Sequence, residues 1–299
     1  MFQPKGIIPA LVTPMDRNGN LLEDGLRQVI DYTIEGGVHG VFVLGSTGEI
    51  YGLDAKQKQK VLEITVDQVA GRVPIYAGAS EITTKECIKT TQLAETIGGI
   101  SAVSVLTPYF ITPNQEELKE HYKAIADSTN LPIILYGNDE KTNVSITPDT
   151  AVELADVENI VAIKDSSGDM TKMGEYIRRT RDKEFTVLAG RDTLIFANLC
   201  YGGTGGIAST GNVAPAIVSG IYDAYVAGEF EKARELQYKL APLRLAFGLG
   251  SFPVVMKEAL NLVGINAGVT LGPINEMSPQ NREKLIQVLK ELDLYQVRV

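Results

Sequence analysis

The sequence predicts a (β/α)8 barrel with a C-terminal helical extension, and three observations carry that reading. Eight short apolar runs recur along the first two-thirds of the chain, and segments of helical period separate them. The sixth run, Ile160-Val161-Ala162-Ile163, shows no apolar/polar alternation. Strands of a parallel sheet are covered on both faces and lose that alternation. Strand and helix repeated eight times imply a parallel sheet closed on itself; an open doubly wound sheet, the alternative, would not need eight units. The 299 residues accommodate a barrel of about 250 residues plus an appendage. The expected domains are a barrel over residues 1–227 and a three-helix extension over 228–299.

In chain order, the strand-like runs begin near Gly6 (GIIPALVT), Gly40 (GVFVLG), Pro74 (PIYAG), Ala102 (AVSVL), Pro132 (PIILY), Ile160 (IVAIK), Thr186 (TVLAG) and Gly205 (GGIAS). Between them lie periodic segments such as Leu26-Val29-Ile30-Thr33-Ile34, several with start signals. Thr83 with Glu86 and Asn114 with Glu117 have the spacing of capping boxes, and Thr147-Pro148 places a cap residue before a proline suited to the first turn. After the eighth run, residues 214–227 supply the last barrel helix. Helices are then expected near 229–245, 252–263 and 279–292, the last capped by Ser278, with residues 264–277 as the main irregular stretch.

Composition narrows the function. Hydrophobic residues make up 44% and charged residues 22%, near globular averages, so a packed core is expected. A formal net charge of -9 argues against nucleic acid or an anionic membrane as partner, because both need a basic footprint. Cys87 and Cys200 both fall in helical segments and read as core thiols rather than a disulfide or zinc site. The first residues show no apolar stretch of secretory type, so the cytoplasm is the expected location. The longest stretch free of Asp, Glu, Lys, Arg and His, Thr193 to Tyr222, is broken by glycines and Pro215 and makes a poor membrane span. His39 and His121 are the only histidines and lack metal-site or triad spacing. The glycine run at 202–206 does not follow a strand as a dinucleotide fingerprint would. No cofactor or metal is expected.

A barrel of this kind carries its site at the carboxyl ends of the strands. The second run ends in Gly45-Ser46-Thr47-Gly48-Glu49, whose hydroxyls and backbone donors suit a carboxylate or phosphate, although it is not a P-loop. The fourth ends in Thr107-Pro108-Tyr109-Phe110, the fifth in Tyr136, the sixth in Lys164, the seventh in Gly190-Arg191-Asp192, and the eighth in Ile207-Ala208-Ser209. An ammonium at the end of a buried strand is costly to desolvate unless paired or neutralised. The neutral amine is a nucleophile suited to Schiff-base formation with a carbonyl. An amine, a phenol and a hydroxyl pair at one barrel mouth supply nucleophile, proton shuttle and anion binder. Each alone has a plainer reading: Lys164 could snorkel into water, and Tyr136 could be an amphipathic wall residue.

The ordered segments GSTGE (45–49), LTPYF (106–110), ILYGN (134–138), AIKDSSGD (162–169), AGRD (189–192) and GGIASTGNVAP (205–215) resemble the dihydrodipicolinate synthase/N-acetylneuraminate lyase family. The resemblance runs from the first strand into the C-terminal helices. It implies a homotetrameric barrel that forms a Schiff base with pyruvate and joins it to, or cleaves it from, an aldehyde. By position it implies that Lys164 forms the imine, that Tyr136 shuttles protons with Ser46, and that Ser46 and Thr47 hold the pyruvate carboxylate. Gly190 and Ile207 would line the pyruvate pocket, with Tyr109 beside it.

Departures from the family pattern bear on the aldehyde. Phe110 stands where synthases carry a second relay tyrosine, and Lys141 where they carry an arginine for the aldehyde's carboxylate; lysine keeps the charge but loses bidentate geometry. The turn after Tyr136 is Gly137-Asn138-Asp139 rather than Asn-x-Pro. Ile82 replaces an asparagine of the lysine-inhibited enzymes, and Thr193 replaces an acidic residue of the neuraminate lyases. A 2-keto-3-deoxy sugar acid aldolase and a non-catalytic keto-acid-binding barrel are the alternative readings. Lys164 and Tyr136 together favour an enzyme, because binding alone needs no amine nucleophile.

Overall fold

The computed structural model describes residues 2–295; the last four residues of the expected extension lie outside that range. Eight parallel strands form one sheet: β1 (Gly6–Pro9), β2 (Val41–Val43), β3 (Ile75–Gly78), β4 (Ala102–Leu106), β5 (Ile133–Gly137), β6 (Ile160–Asp165), β7 (Thr186–Ala189) and β8 (Gly205–Ala208). Their order is β1-β8-β7-β6-β5-β4-β3-β2. A parallel bridge between Ala10 and Phe42 joins the two ends, with Leu11 N donating to Phe42 O at 2.8 Å, so the barrel closes.

The unbroken apolar runs are explained by burial on both faces. Ile8, Ala10, Phe42, Ile134, Ala162, Leu188 and Ile207 fill the barrel interior. Their outward neighbours, among them Ile7, Val43, Ile133, Leu135 and Ile163, pack beneath the helices.

Those helices are α1 (Glu23–Glu35), α2 (Ala55–Val69), α3 (Thr84–Ile97), α4 (Gln115–Ala126), α5 (Asp139–Thr142), α6 (Pro148–Leu154), α7 (Met170–Thr180), α8 (Ile195–Tyr201) and α9 (Pro215–Val226), followed by α10 (Phe230–Leu245), α11 (Val254–Val263) and α12 (Pro279–Glu291). The box at Asn114 and Glu117 forms in full, and Thr147 and Ser278 cap as expected. At α3 only half of the expected box forms. Thr83 accepts from Glu86 N, but the Glu86 carboxylate is taken by Lys89 Nζ at 2.7 Å. Asp54 and Gln57 make a complete box at α2 that the sequence reading did not single out.

The two cysteines differ. Cys87 is buried, whereas Cys200 is exposed, because α8 turns Ile195, Asn198 and Leu199 inward and leaves position 200 on its outer side. No described helix is long and apolar enough to cross a membrane.

The irregular stretch 264–277 is stitched to the barrel. Val269 N donates to Met15 O at 2.9 Å, and Leu271 N donates to the Glu49 carboxylate at 2.8 Å. The extension therefore reaches the loop after β2, at the mouth where strand ends converge.

Candidate active site

Strand register sets the centre of the site. Tyr136 on β5 pairs with Lys164 on β6, so both side chains point into the barrel from neighbouring strands. Lys164 is 5% exposed, and its Nζ stands 3.9 Å from the centre of the Tyr136 ring and 5.5 Å from that of Phe42. Among the described residues no carboxylate lies within ion-pair distance of it, so attack on a carbonyl would not first have to break a salt bridge.

The Tyr136 hydroxyl accepts a hydrogen bond from Asn138 Nδ2 at 3.1 Å. Burial, the largest single influence on this phenol, raises its pKa. The charge of Lys164 and the Asn138, Ser46 and Ser166 side chains act the other way and together bring it below the ordinary value. A phenol made more acidic beside an amine is equipped to donate a proton.

Ser46 and Thr47 sit in the turn between β2 and α2. The Thr47 hydroxyl is hydrogen-bonded to Ser209 Oγ, beyond β8, at 2.9 Å, and Thr13 Oγ1 donates to Gly48 O at 2.7 Å. The turn bends sharply, with Leu44 and Glu49 both at positive φ (57° and 55°). Room for it depends on Gly78 of β3, where a Cβ would stand 1.9 Å from Leu44 O. Gly190 is constrained in the same way, since a Cβ there would meet Ser166 Oγ at 2.0 Å.

Above Lys164 opens a cavity of about 720 Å3. Of the residues singled out in the sequence, Ser46, Thr47, Tyr109, Tyr136, Lys141, Lys164 and Gly190 all border it. Ile207 does not: it is 1% exposed and packs in the barrel interior with Ala10, Phe42 and Leu188. Its strand position, paired with Ile8, puts it in that packed interior layer with Phe42, whose ring centre stands 5.5 Å from Lys164 Nζ.

The cavity also takes in residues to which the sequence reading assigned no role. Arg191 donates to Ser166 O at 3.0 Å and to Glu140 at 2.6 Å. From α10 comes Arg244, its guanidinium 4.6 Å from the Phe247 ring centre, and Phe247, Phe252 and Ile274 close the far side. Lys141 is carried by α5, a single turn held by an ion pair between Asp139 and Lys172 at 2.8 Å. Lys141, Arg191 and Arg244 make the rim locally cationic on an anionic chain, and Glu140 is pulled below the ordinary carboxylate range chiefly by its hydrogen bond from Arg191. Among these, Asn138 and Arg191 were adjacent to sites already marked, whereas nothing local marks Arg244.

The arrangement can do covalent amine chemistry on a small keto acid: nucleophile at the floor, acid beside it, hydroxyl donors opposite, cations at the rim. Comparison with known proteins bears on the same chemistry. The sequence matches the dihydrodipicolinate synthetase family over residues 3–292. The 4-hydroxy-tetrahydrodipicolinate synthase of Methanospirillum hungatei JF-1 is 39% identical over 295 residues, covering 98% of this chain and 100% of that one. The solved dihydrodipicolinate synthase of Aquifex aeolicus matches with a TM-score of 0.94 at 33% identity, over 99% of this chain and 100% of its own. YagE, a prophage protein of E. coli K12 assigned to the same family and solved in complex with pyruvate, matches with a TM-score of 0.93 at 31% identity, over 97% and 99%.

Proposed function

This chain belongs to the dihydrodipicolinate synthetase family, and from that premise we propose which of its residues carry the chemistry and what it condenses. It is a lyase of the pyruvate-aldolase class that works through a lysine Schiff base. In our reading Lys164 Nζ attacks the ketone carbon of pyruvate to give a carbinolamine. Tyr136 donates the proton with which water leaves, forming the iminium. The Tyr136 phenolate so formed takes a methyl proton to give the enamine, whose carbon attacks the aldehyde carbonyl; Tyr136 returns the proton to the new alkoxide, and hydrolysis of the imine frees Lys164. Ser46 and Thr47 hold the pyruvate carboxylate, and Tyr109 and Gly190 border the space around it. The observation that carries this reading is the buried amine 3.9 Å from a phenol ring, beneath an open cavity.

For the second substrate we propose an aldehyde bearing an acidic group, as the name of the Methanospirillum relative suggests, with Lys141 reading that group at the rim. A panel of acidic and neutral aldehydes, assayed with pyruvate in both directions, tests this. Lys141→Ala should raise KM for an acidic aldehyde roughly tenfold, the scale of one charge-assisted hydrogen bond, and leave KM for pyruvate unchanged. Equal losses for acidic and neutral aldehydes would count against it. Turnover confined to 2-keto-3-deoxy sugar acids would instead favour that branch of the family.

We also propose a homotetramer. Phe110 is 89% exposed and Ile111 58%, an apolar pair projecting from the rim that association would cover. Light scattering at micromolar concentration should show a multiple of 32.4 kDa, and a monomer alone would refute the assembly.

A further inference from the structure

The carboxylate cradle is anchored from the far side by a buried ion pair with a distant part of the chain. Glu49, the last residue of the GSTGE turn, is fully buried, and so is Lys257 on α11. Glu49 Oε1 stands 2.5 Å from Lys257 Nζ. The other carboxylate oxygen accepts from Leu271 N at 2.8 Å, and Lys257 Nζ also donates to Val269 O at 2.6 Å. One pair thus ties together the turn after β2, helix α11 and the stretch 264–277.

Its position is more telling than its presence. Glu49 lies three residues from Ser46 and two from Thr47, and it holds a left-handed conformation (φ 55°, ψ 37°) that a glutamate does not adopt without restraint. That conformation brings Ile50 N within hydrogen-bonding reach of Gly45 O, beside the Glu49 N to Ser46 O bond, closing the turn that presents the two hydroxyls. A buried charge pair is a poor choice for stability alone, since an apolar pair of similar volume often does as well or better. Where the geometry is fixed by two further elements, α11 and the stretch 264–277, its effect is to admit one arrangement of the turn and penalise others.

We propose that Glu49 and Lys257 are positioning residues for pyruvate: through their ion pair the C-terminal extension sets the position of Ser46 and Thr47, and so forms part of the keto-acid site. Neither residue touches the substrate. The inference rests on the reading of Ser46 and Thr47 as the carboxylate cradle.

Two consequences separate this from a merely structural role. Displacing the cradle weakens capture of the keto acid and leaves the amine in place; because Ser46 also bonds the Tyr136 hydroxyl, a smaller effect reaches kcat, and the main defect falls on KM for pyruvate. The aldehyde meets the opposite side of the cavity and should be little affected. The experiment compares Lys257→Met, Glu49→Gln and Lys257→Arg in the full-length protein, with steady-state kinetics and borohydride trapping of pyruvate at rising concentration. The first two should raise KM and the half-saturating concentration for trapping roughly ten- to a hundredfold, the scale of an ångström-level misplacement. Their kcat at saturation should stay within about threefold, and Lys257→Arg should recover most of the loss. Because one charge left alone in the interior destabilises the fold, the double variant E49Q/K257M, which removes both, carries the same test where a single variant does not fold. An unchanged KM for pyruvate in the folded variants, or an equal rise for the aldehyde, would overturn the proposal. Failure of the unaltered protein to be trapped at Lys164 would instead overturn the function on which it rests.

Discussion

Tyr136→Phe should lower kcat by about 10²–10⁴-fold, the contribution of a positioned general acid–base group, while the protein stays folded and still binds pyruvate. The ring is retained, so its packing against Lys164 Nζ at 3.9 Å survives; only the hydroxyl that accepts from Asn138 is lost. The pH profile adds an independent check. Burial raises the phenol's pKa, but the Lys164 charge and the surrounding side chains prevail and bring it below its ordinary value. The protonated form, which donates to the departing water, is therefore lost as pH rises through a value below about 10. In the unaltered enzyme kcat/KM should fall on the alkaline side at that lowered value, and in the phenylalanine variant this limb should vanish. An alkaline limb identical in both proteins would remove Tyr136 from the proton path.

Lys164→Met should abolish turnover and at the same time stabilise the fold. Methionine nearly matches the length of the lysine stem but carries no charge. Lys164 is 5% exposed, and its contacts are the two ring faces of Tyr136 and Phe42. Cation–π contacts return about 2 kcal/mol when desolvated, against an effective penalty of several kcal/mol for burying an ion. Removing the amine should therefore raise the melting temperature by a few degrees, a ~1–2 kcal/mol gain in a chain of this size. Such an exchange of stability for activity is common at working sites. A variant that melts well below the parent would show that Lys164 supports the core rather than the chemistry.

The barrel was legible because a two-sided burial pattern is written locally. The run Ile160-Val161-Ala162-Ile163 has no polar side, and in the fold its residues are divided between the barrel interior and the layer beneath the helices. The strand ends were legible for the same reason: each apolar run stops where the mouth begins, which placed Lys164 and Tyr136 side by side before any register was known. Ile207 shows the limit of that logic. Lying within the last run marks a residue as near the mouth, but its depth depends on stagger between strands, and here it falls in the packed interior. Arg244, Phe247 and Ile274 were not legible at all. They reach the cavity from α10 and the stretches after it, a contact made by the docking of the extension and not by any local spacing. The pairing of Glu49 with Lys257 across the same junction was hidden likewise, since nothing in a helix sequence announces the distant carboxylate its lysine will meet.

The central claim is that Lys164 forms the imine, and trapping tests it most directly. The protein is incubated with pyruvate, reduced with borohydride, digested, and the modified peptide identified by mass. One reduced pyruvyl group should appear, on the peptide containing Lys164, and none should appear on Lys164→Met. Absence of label, or label on Lys141, Lys172 or Lys257 in its place, would contradict the account.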